Sequence, residues 1–539
     1  MAPSDCGLNS GPPGSATRIK GEAAADRLRL QWPEIAIVLV ALVFRLIWLS
    51  LKPAHFDEGV NGYFVDQMRQ FGYYHYDPTN FHGPLHFYLL FLAQTLLGRH
   101  TWALRLPIAL ISTLCVVQTL AFRRYFPRVT CLLAAAAMAV SPGMTFYGRY
   151  AIHESFLLLS LLLTTWGALG MWQTGGRREL WATALGITGM ILTKETYVIH
   201  ITAMLLAFPT LLLVERCSSS DLQRPAVQQW SRQELVNVVT VCFGLVIFFY
   251  SGALLDWSSV RGLWETFQNW TQTGTSGKSG HEKDWYYWWP LMARYEWPAL
   301  FGVAASFLLV LPRSLRNLRY VVIAGWGTLA AYSIIHYKTP WCIITFLWPF
   351  YFAFGAAIER LSSQLPRALP GGVAVVLLLH STCMACWLNF RHFADPKEEY
   401  VYVQTLPAVD KILRPLYALA AADPANYHLK GILLFNTGEN HPLPWLLGDF
   451  THVDNLYAGP APANIDSDFL VVQSPFVSDV EDRLKERYYR EELELRGNSG
   501  LFATVFFNVR SFRRVFPDRE PEFEPAPLPA PEPPAPEVP

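Results

Sequence analysis

The sequence predicts a polytopic α-helical membrane protein that carries a small α/β domain near its C-terminal end. Three observations lead there. Of 539 residues, 52% are hydrophobic and only 16% are charged, where a soluble domain has about a quarter charged. Apolar runs suited to crossing a bilayer recur over residues 32–388. Beyond Asn389 the runs shorten to strand length and lie between polar turns.

Two function classes drop out at this level. A net charge of zero offers nucleic acid no general attraction, so no nucleic-acid partner is expected. Most of the eight cysteines sit inside apolar runs, Cys115, Cys131, Cys242, Cys342, Cys383 and Cys386 among them. That fits neither a secreted disulfide framework nor a zinc ribbon. Cys383-x-x-Cys386 reads as a pair of buried small hydrophobes.

Residues 1–30 are polar, with Gly, Pro and Ser and no apolar core leading to a cleavage site, so a disordered cytoplasmic tail is expected. A transmembrane domain follows over 31–388. Its first span, 32–51, is preceded by Lys20, Arg27 and Arg29, which keeps the N-terminus cytoplasmic. The first outer loop, 52–103, contains the segment on which the topology turns. Residues 84–97 are apolar but short, and suit a helix lying in the interface. On that reading the clusters Arg123, Arg124 and Arg128, then Arg177 and Arg178, then Arg313, Arg316 and Arg319 all fall on the cytoplasmic side. Letting 84–97 cross would invert every one of them. About eleven spans result, at 32–51, 104–122, 129–140, 155–171, 180–192, 198–214, 236–255, 298–311, 320–335, 341–357 and 373–388. Further outer loops are expected at 141–154 and 256–291. Residues 389–517 read as a soluble α/β domain on the outer side, with strands at 431–435, 468–473 and 501–509 and a helix at 475–493. The Pro-, Glu- and Ala-rich stretch 518–539 reads as a disordered tail.

The outer loops collect the residues able to do chemistry. The first has Asp57 and Glu58, then His82 and His86. The second has Arg149, His153 and Glu154. Lys194 and Glu195 close the fifth span. The third loop holds His281 and the aromatic run opened by Trp285. The turn after the ninth span holds His336, Lys338 and Trp341. Ionisable groups at membrane depth are costly, which makes them functional candidates. Arg149, Lys194 and Lys338 suit a phosphate. A nearby carboxylate suits a general base toward a hydroxyl. The aromatics suit a prenyl chain or a sugar face. Each group also has a plainer reading: Lys194–Glu195 as a local ion pair, WYYWW as an interfacial belt. Asp57, Glu58, His82, His86 and His281 include the ligand types of a divalent metal, with no pair at diagnostic spacing, so a metal stays open and no other cofactor is called for. Gly277-Lys278-Ser279 lacks the first glycine of a phosphate loop and is rejected as one.

These stretches resemble a known family. The Asp-Glu pair in the first loop, the interfacial helix after HGPL, and ALRLP at 103–107 are similar to GT-C superfamily membrane glycosyltransferases, including protein O-mannosyltransferases. More narrowly, HFDEG at 55–59, YYHYDPTNFHGPLHFYL at 73–89, RYAIHES at 149–155, LTKET at 192–196, GHEKDWYYWW at 280–289, HYKTPW at 336–341 and HPLPWLLGDF at 441–450 resemble the flippase activity-associated protein Agl23 family. The resemblance implies a polyprenyl-phosphate sugar donor, with Asp57 as the catalytic carboxylate. It implies a second acidic position at Glu154, where the family usually has Asp.

The expected function is transfer of a sugar from a polyprenyl-phosphate donor to a glycan, lipid or protein acceptor at the outer face of a cell inner (plasma) membrane. Asp57, Glu58 and Glu154 are the expected catalytic carboxylates, and Arg149, Lys194 and Lys338 the donor-phosphate ligands. His82, His86, His281, Trp285, Trp341, His441 and Trp445 are the expected sugar or acceptor contacts. The competing expectation is a non-catalytic glycolipid-binding or flippase-associated protein using the same groove.

Overall fold

The computed structural model describes residues 30–217, 227–275, 280–311, 315–457, 462, 464–497 and 499–525. The expected tail before Leu30 and the Gly277-Lys278-Ser279 stretch lie outside the described residues.

Helices stand at all eleven expected spans. In chain order the bundle contains α1 (Trp32–Leu46), α2 (Phe56–Phe71), α3 (Leu85–Leu97), α4 (Thr101–Ala121), α5 (Arg128–Val140), α6 (Pro142–Tyr147), α7 (Glu154–Gln173), α8 (Arg177–Ile191), α9 (Tyr197–Cys217), α10 (Arg232–Tyr250), α11 (Gly262–Thr275), α12 (Trp288–Tyr295), α13 (Trp297–Ala305), α14 (Arg316–Ile334), α15 (Ile344–Leu361) and α16 (Ala368–Cys386). Six segments among the described residues are long and apolar enough to cross a membrane: Thr101–Arg124, Glu154–Gln173, Tyr197–Arg216, Arg232–Tyr250, Pro340–Ser362 and Ala368–Arg391. The other five expected crossings are shorter or more polar. The fold is that of a multi-pass helical membrane protein.

Burial separates the helices by role. α15 is apolar on every side, and 94% of the apolar window spanning it is buried, against 22% for α9 and for α10. A helix apolar all round belongs at the centre of a bundle or against lipid. α15 takes the centre; α9 and α10 present Leu205, Leu206, Val239 and Phe243 outward. Close approach at the centre depends on small residues. A Cβ on Gly302 of α13 would lie 1.9 Å from the Phe350 carbonyl oxygen of α15, and one on Gly355 would lie 2.4 Å from that of Thr130 in α5. Cys383 and Cys386, expected to be buried, lie exposed on α16; its apolar surface faces away from the bundle.

Buried arginines finish several helices. The last carbonyls of a helix lack intrahelical partners and attract cations. Arg45 donates to the carbonyls of Met138 and Ala139 at the end of α5, both at 3.1 Å. Arg149 donates to Phe44, Ile47 and Trp48 around the end of α1, at 2.7–2.9 Å.

The C-terminal domain packs α17 (Asp410–Ala422) and the short α18 (Leu443–Leu446) on a five-stranded sheet of β1 (Lys430–Phe435), β2 (His452–Tyr457), β3 (Phe469–Gln473), β4 (Tyr488–Arg496) and β5 (Leu501–Asn508). The order is β2-β1-β3-β5-β4. β1 pairs in parallel with β2 and β3; β5 pairs antiparallel with β3 and β4. The expected helix over 475–493 is a correction. Only Val477–Glu481 is α-helical; an irregular stretch follows, and β4 starts at Tyr488. YYREELELR favours a helix locally, but its alternate residues Tyr489, Leu493 and Leu495 are buried in one core cluster and its backbone completes the sheet. Residues 518–525, expected to belong to a disordered tail, are placed against the sheet instead. Phe523 forms a backbone bridge with Tyr488, and Arg487 pairs with Glu524 at 2.5 Å, because β4 is an edge strand with free backbone groups. Residues 526–539 lie outside the described residues.

The domain docks on α2 through two glycines. Gly59 lies under Pro442, and Gly62 under Trp445, where a Cβ would come within 2.3–2.4 Å of either residue. Arg99 then bridges Asp66 at 2.8 Å and Asp449 at 3.4 Å, tying the bundle to the domain.

Candidate active site

A cavity of about 970 Å³ lies between the bundle and the C-terminal domain. α2 begins at its wall. His55 caps the helix: its Nδ1 accepts the Asp57 N–H at 3.1 Å, and its Nε2 lies 2.8 Å from the Tyr402 carbonyl oxygen. That arrangement puts the ring proton on Nε2 and leaves the imidazole neutral. Successive helical residues point about 100° apart, so the adjacent carboxylates of the first turn part company. Asp57 faces the cavity with its side chain 34% exposed. Glu58 points inward and is fully buried. Its carboxylate meets Arg105 at 2.6 and 2.7 Å and accepts the N–H groups of His55 and Ala151.

Another part of the wall is built where α7 starts and α8 ends. Glu154 is the first residue of α7 and pairs with Lys194 just beyond α8. Glu195 lies 2.9 Å from His82 Nδ1. The plainer reading of Lys194–Glu195 as a local ion pair therefore gives way to two pairs with other segments. Gly83 allows this junction: its N–H donates to the Thr193 carbonyl at 3.0 Å, and it has no room for a Cβ against Leu192. The His153 ring packs at a tilt against His82 and His86, with centroids 4.5 and 4.0 Å apart.

The rim is set by two segments that pair as short extended strands, with Glu282 opposite Tyr337. They bring His281 and Trp341 to the cavity. His281 Nδ1 lies 2.8 Å from the Tyr402 hydroxyl. Burial lowers the His281 pKa, with the Asp57 and Glu282 charges opposing, so this ring is held neutral.

Of the residues singled out from sequence, Asp57, His82, Glu154, Lys194, His281 and Trp341 line this cavity, as do His153, Glu195 and His336 from the same segments. The others are placed elsewhere. Glu58 has both carboxylate oxygens committed to Arg105 and backbone. Arg149 gives its terminal nitrogens to helix-end carbonyls, with Nε buried and unpartnered away from the cavity. Lys338 donates to the carbonyls of Lys283, at 3.1 Å, and Ile335. His86 is fully enclosed and lies 3.2 Å from the Ala151 carbonyl oxygen. Trp285 is 67% exposed on the outside of its loop. Trp445 and His441 belong to the domain contact: Trp445 is buried over Gly62, and His441 packs edge-on against Phe56 and Tyr63. Among the described residues no three His, Cys, Asp or Glu side chains gather as a metal-ligand set, so the five residues considered for a metal do not converge. Sequence reasoning did not find Tyr402, Glu439 or Arg496, which bring the C-terminal domain to the cavity and stand in no motif.

His441 carries a pH prediction. Burial, with Arg496 acting in the same direction and Asp57 opposing, pushes its pKa from 6.5 to about 4. The folded state then binds fewer protons than the unfolded state between those values, so stability rises with pH there. The contribution is complete above pH 6.5 and is lost as pH falls toward 4. Thermal unfolding of the full chain from pH 8 to 4 is expected to show this loss, and His441→Gln to reduce it. Parallel curves for the two proteins would exclude the assignment.

Residues 81–228 match the family model described as dolichyl-phosphate-mannose-protein mannosyltransferase. No curated protein matches the chain. Among solved structures, ArnT from Cupriavidus metallidurans bound to undecaprenyl phosphate is similar over 87% of this chain and 97% of its own, at 14% identity and TM-score 0.56. The apo form of that ArnT gives the same values. The oligosaccharyltransferase of Archaeoglobus fulgidus is similar over 88% of this chain and 74% of its own, at 12% identity and TM-score 0.48. The chain thus shares its overall fold with ArnT.

Proposed function

We propose that the protein is a glycosyltransferase that takes a sugar from a polyprenyl-phosphate donor and transfers it to an acceptor hydroxyl at the extracytoplasmic face of the inner membrane. The observation that carries this is the cavity whose wall holds both the exposed Asp57 carboxylate and Lys194. The topology that goes with it has a cytoplasmic N-terminus, about eleven crossings, and α2 and α3 lying at the outer interface. ArnT with undecaprenyl phosphate shares the fold, which supports a lipid-phosphate donor here.

In this mechanism Asp57 takes the proton of the acceptor hydroxyl as its oxygen attacks the anomeric carbon. The carbon–oxygen bond to phosphate breaks and its electron pair stays on the departing lipid phosphate. Lys194 stabilises the charge that grows there, drawing away from Glu154 as it does so. Attack opposite the leaving group inverts the anomeric configuration. His82 and His281 contact the sugar, and Trp341 offers it an aromatic face.

The test uses the full-length protein in nanodiscs with labelled undecaprenyl-phosphate hexoses and a panel of glycan, lipid and peptide acceptors. Label is expected to leave the lipid and appear on an acceptor with inverted configuration. Saturable lipid binding without any transfer would replace the enzyme with a glycolipid-handling, flippase-associated protein.

A further inference from the structure

We propose that Arg496 of the C-terminal domain forms a subsite for an anionic group, carboxylate or phosphate, carried by the acceptor; this rests on the transfer reading above. Arg496 ends β4 and lines the cavity. It is 6% exposed. Its guanidinium lies 4.9 Å from the ring of Phe56, the residue before Asp57, and one terminal nitrogen donates to the Glu439 carbonyl. Those contacts aim the group and hold it. They do not satisfy it. Nε is buried with no hydrogen-bond partner, and among the described residues no carboxylate stands within ion-pair distance of it. Lys194, the other Lys or Arg on the cavity wall among the described residues, already pairs with Glu154 and is the group assigned above to the donor phosphate.

A buried guanidinium is normally paired and fully hydrogen-bonded, because desolvating it is costly. Here burial weakens its hold on its proton, and the Glu439 and Asp57 charges only partly oppose that. An incoming anion completes it, taking the free Nε–H in the forked geometry that suits carboxylate and phosphate. The acceptor is the better occupant than the donor. Lys194 belongs to the bundle at a helix end, where a lipid phosphate arrives. Arg496 belongs to the domain beyond the bundle and sits beside Asp57, where the reacting hydroxyl must be. One sugar can place its hydroxyl on Asp57 and its anionic substituent on Arg496. The domain then selects the acceptor as well as covering the site.

The experiment compares octyl β-glucoside, octyl β-glucuronide and octyl β-glucoside 6-phosphate with the full-length protein in nanodiscs. Binding is read by quenching of intrinsic tryptophan fluorescence without donor, and transfer by label from undecaprenyl-phosphate hexose. Wild type is expected to bind a charged glycoside at least tenfold more tightly than the neutral one, with the advantage falling as salt rises. Arg496→Gln is expected to remove that preference and raise KM for the charged acceptor tenfold or more, with the neutral acceptor altered less than threefold. Arg496→Lys restores part of it. The two charged glycosides separate carboxylate from phosphate. Equal binding of charged and neutral glycosides by wild type overturns the proposal, whether or not the variant folds. Weakened binding of undecaprenyl phosphate in Arg496→Gln, with acceptor binding intact, overturns it in favour of a donor role. Absence of transfer with the binding preference present leaves the anion subsite standing and counts against the transferase reading alone.

Discussion

Asp57→Asn is expected to reduce sugar transfer by about 10²–10⁴-fold, the usual worth of a positioned general base, while undecaprenyl phosphate binds within threefold of wild type. The substitution keeps size and shape. It also spares the start of α2, which His55 and Glu58 cap through the Asp57 N–H and the His55 N–H, so the variant should fold. What it removes is the exposed carboxylate that can accept a proton at the cavity wall. Single-turnover transfer from labelled donor separates this from slow product release. Transfer above a tenth of wild type would move the base elsewhere, and loss of lipid binding would mean that Asp57 holds the donor.

Glu58→Ala is expected to cost stability rather than chemistry, although Glu58 is the neighbour of the proposed base. Removing one partner of a fully buried ion pair costs about 3–5 kcal/mol, since the other charge is left without compensation. Here Arg105 would remain, 0% exposed, with only the carbonyls of Leu49, Lys52 and Pro53 around it at 2.8–2.9 Å. The N–H groups of His55 and Ala151 would also lose their acceptor. Adding Arg105→Met to the variant should rescue little, because it orphans those three carbonyls in turn. The expected result is a sharply lowered thermal midpoint and poor yield in detergent, with the double variant no better. A midpoint within about 2 °C of wild type would show the pair to be dispensable.

How much of this was legible beforehand differs by element. Each apolar segment marked as a span holds a helix, since hydropathy and length are local properties of the chain. Residues 84–97 were separated from the spans by their shortness and by charge distribution, and α3 is 13 residues long. Strands β1, β3 and β5 were visible as short apolar runs. β2 and β4 were not, because HVDNLY and YYREELELR are polar and become strands through their neighbours in the sheet. On the cavity wall, Asp57, Glu154, Lys194 and His281 could be named from their types and their place in the outer loops and at span ends.

What the chain could not reveal is which charge meets which. Glu58 finds Arg105, 47 residues away, and that turns an apparent catalytic dyad into one exposed carboxylate and one buried tie. Arg149 was an attractive phosphate ligand until the end of α1 was found resting on it. Arg496 had no motif at all and reaches the cavity because Gly59 and Gly62 let the domain settle on α2. By itself the sequence determined the membrane class, the helix positions, and the loops where polar chemistry collects, because period and hydropathy are written in neighbouring residues. Only the tertiary structure decided which of those polar groups are spent and which face the cavity, because a charge's partners are chosen by long-range approach of backbones rather than by its own surroundings in sequence.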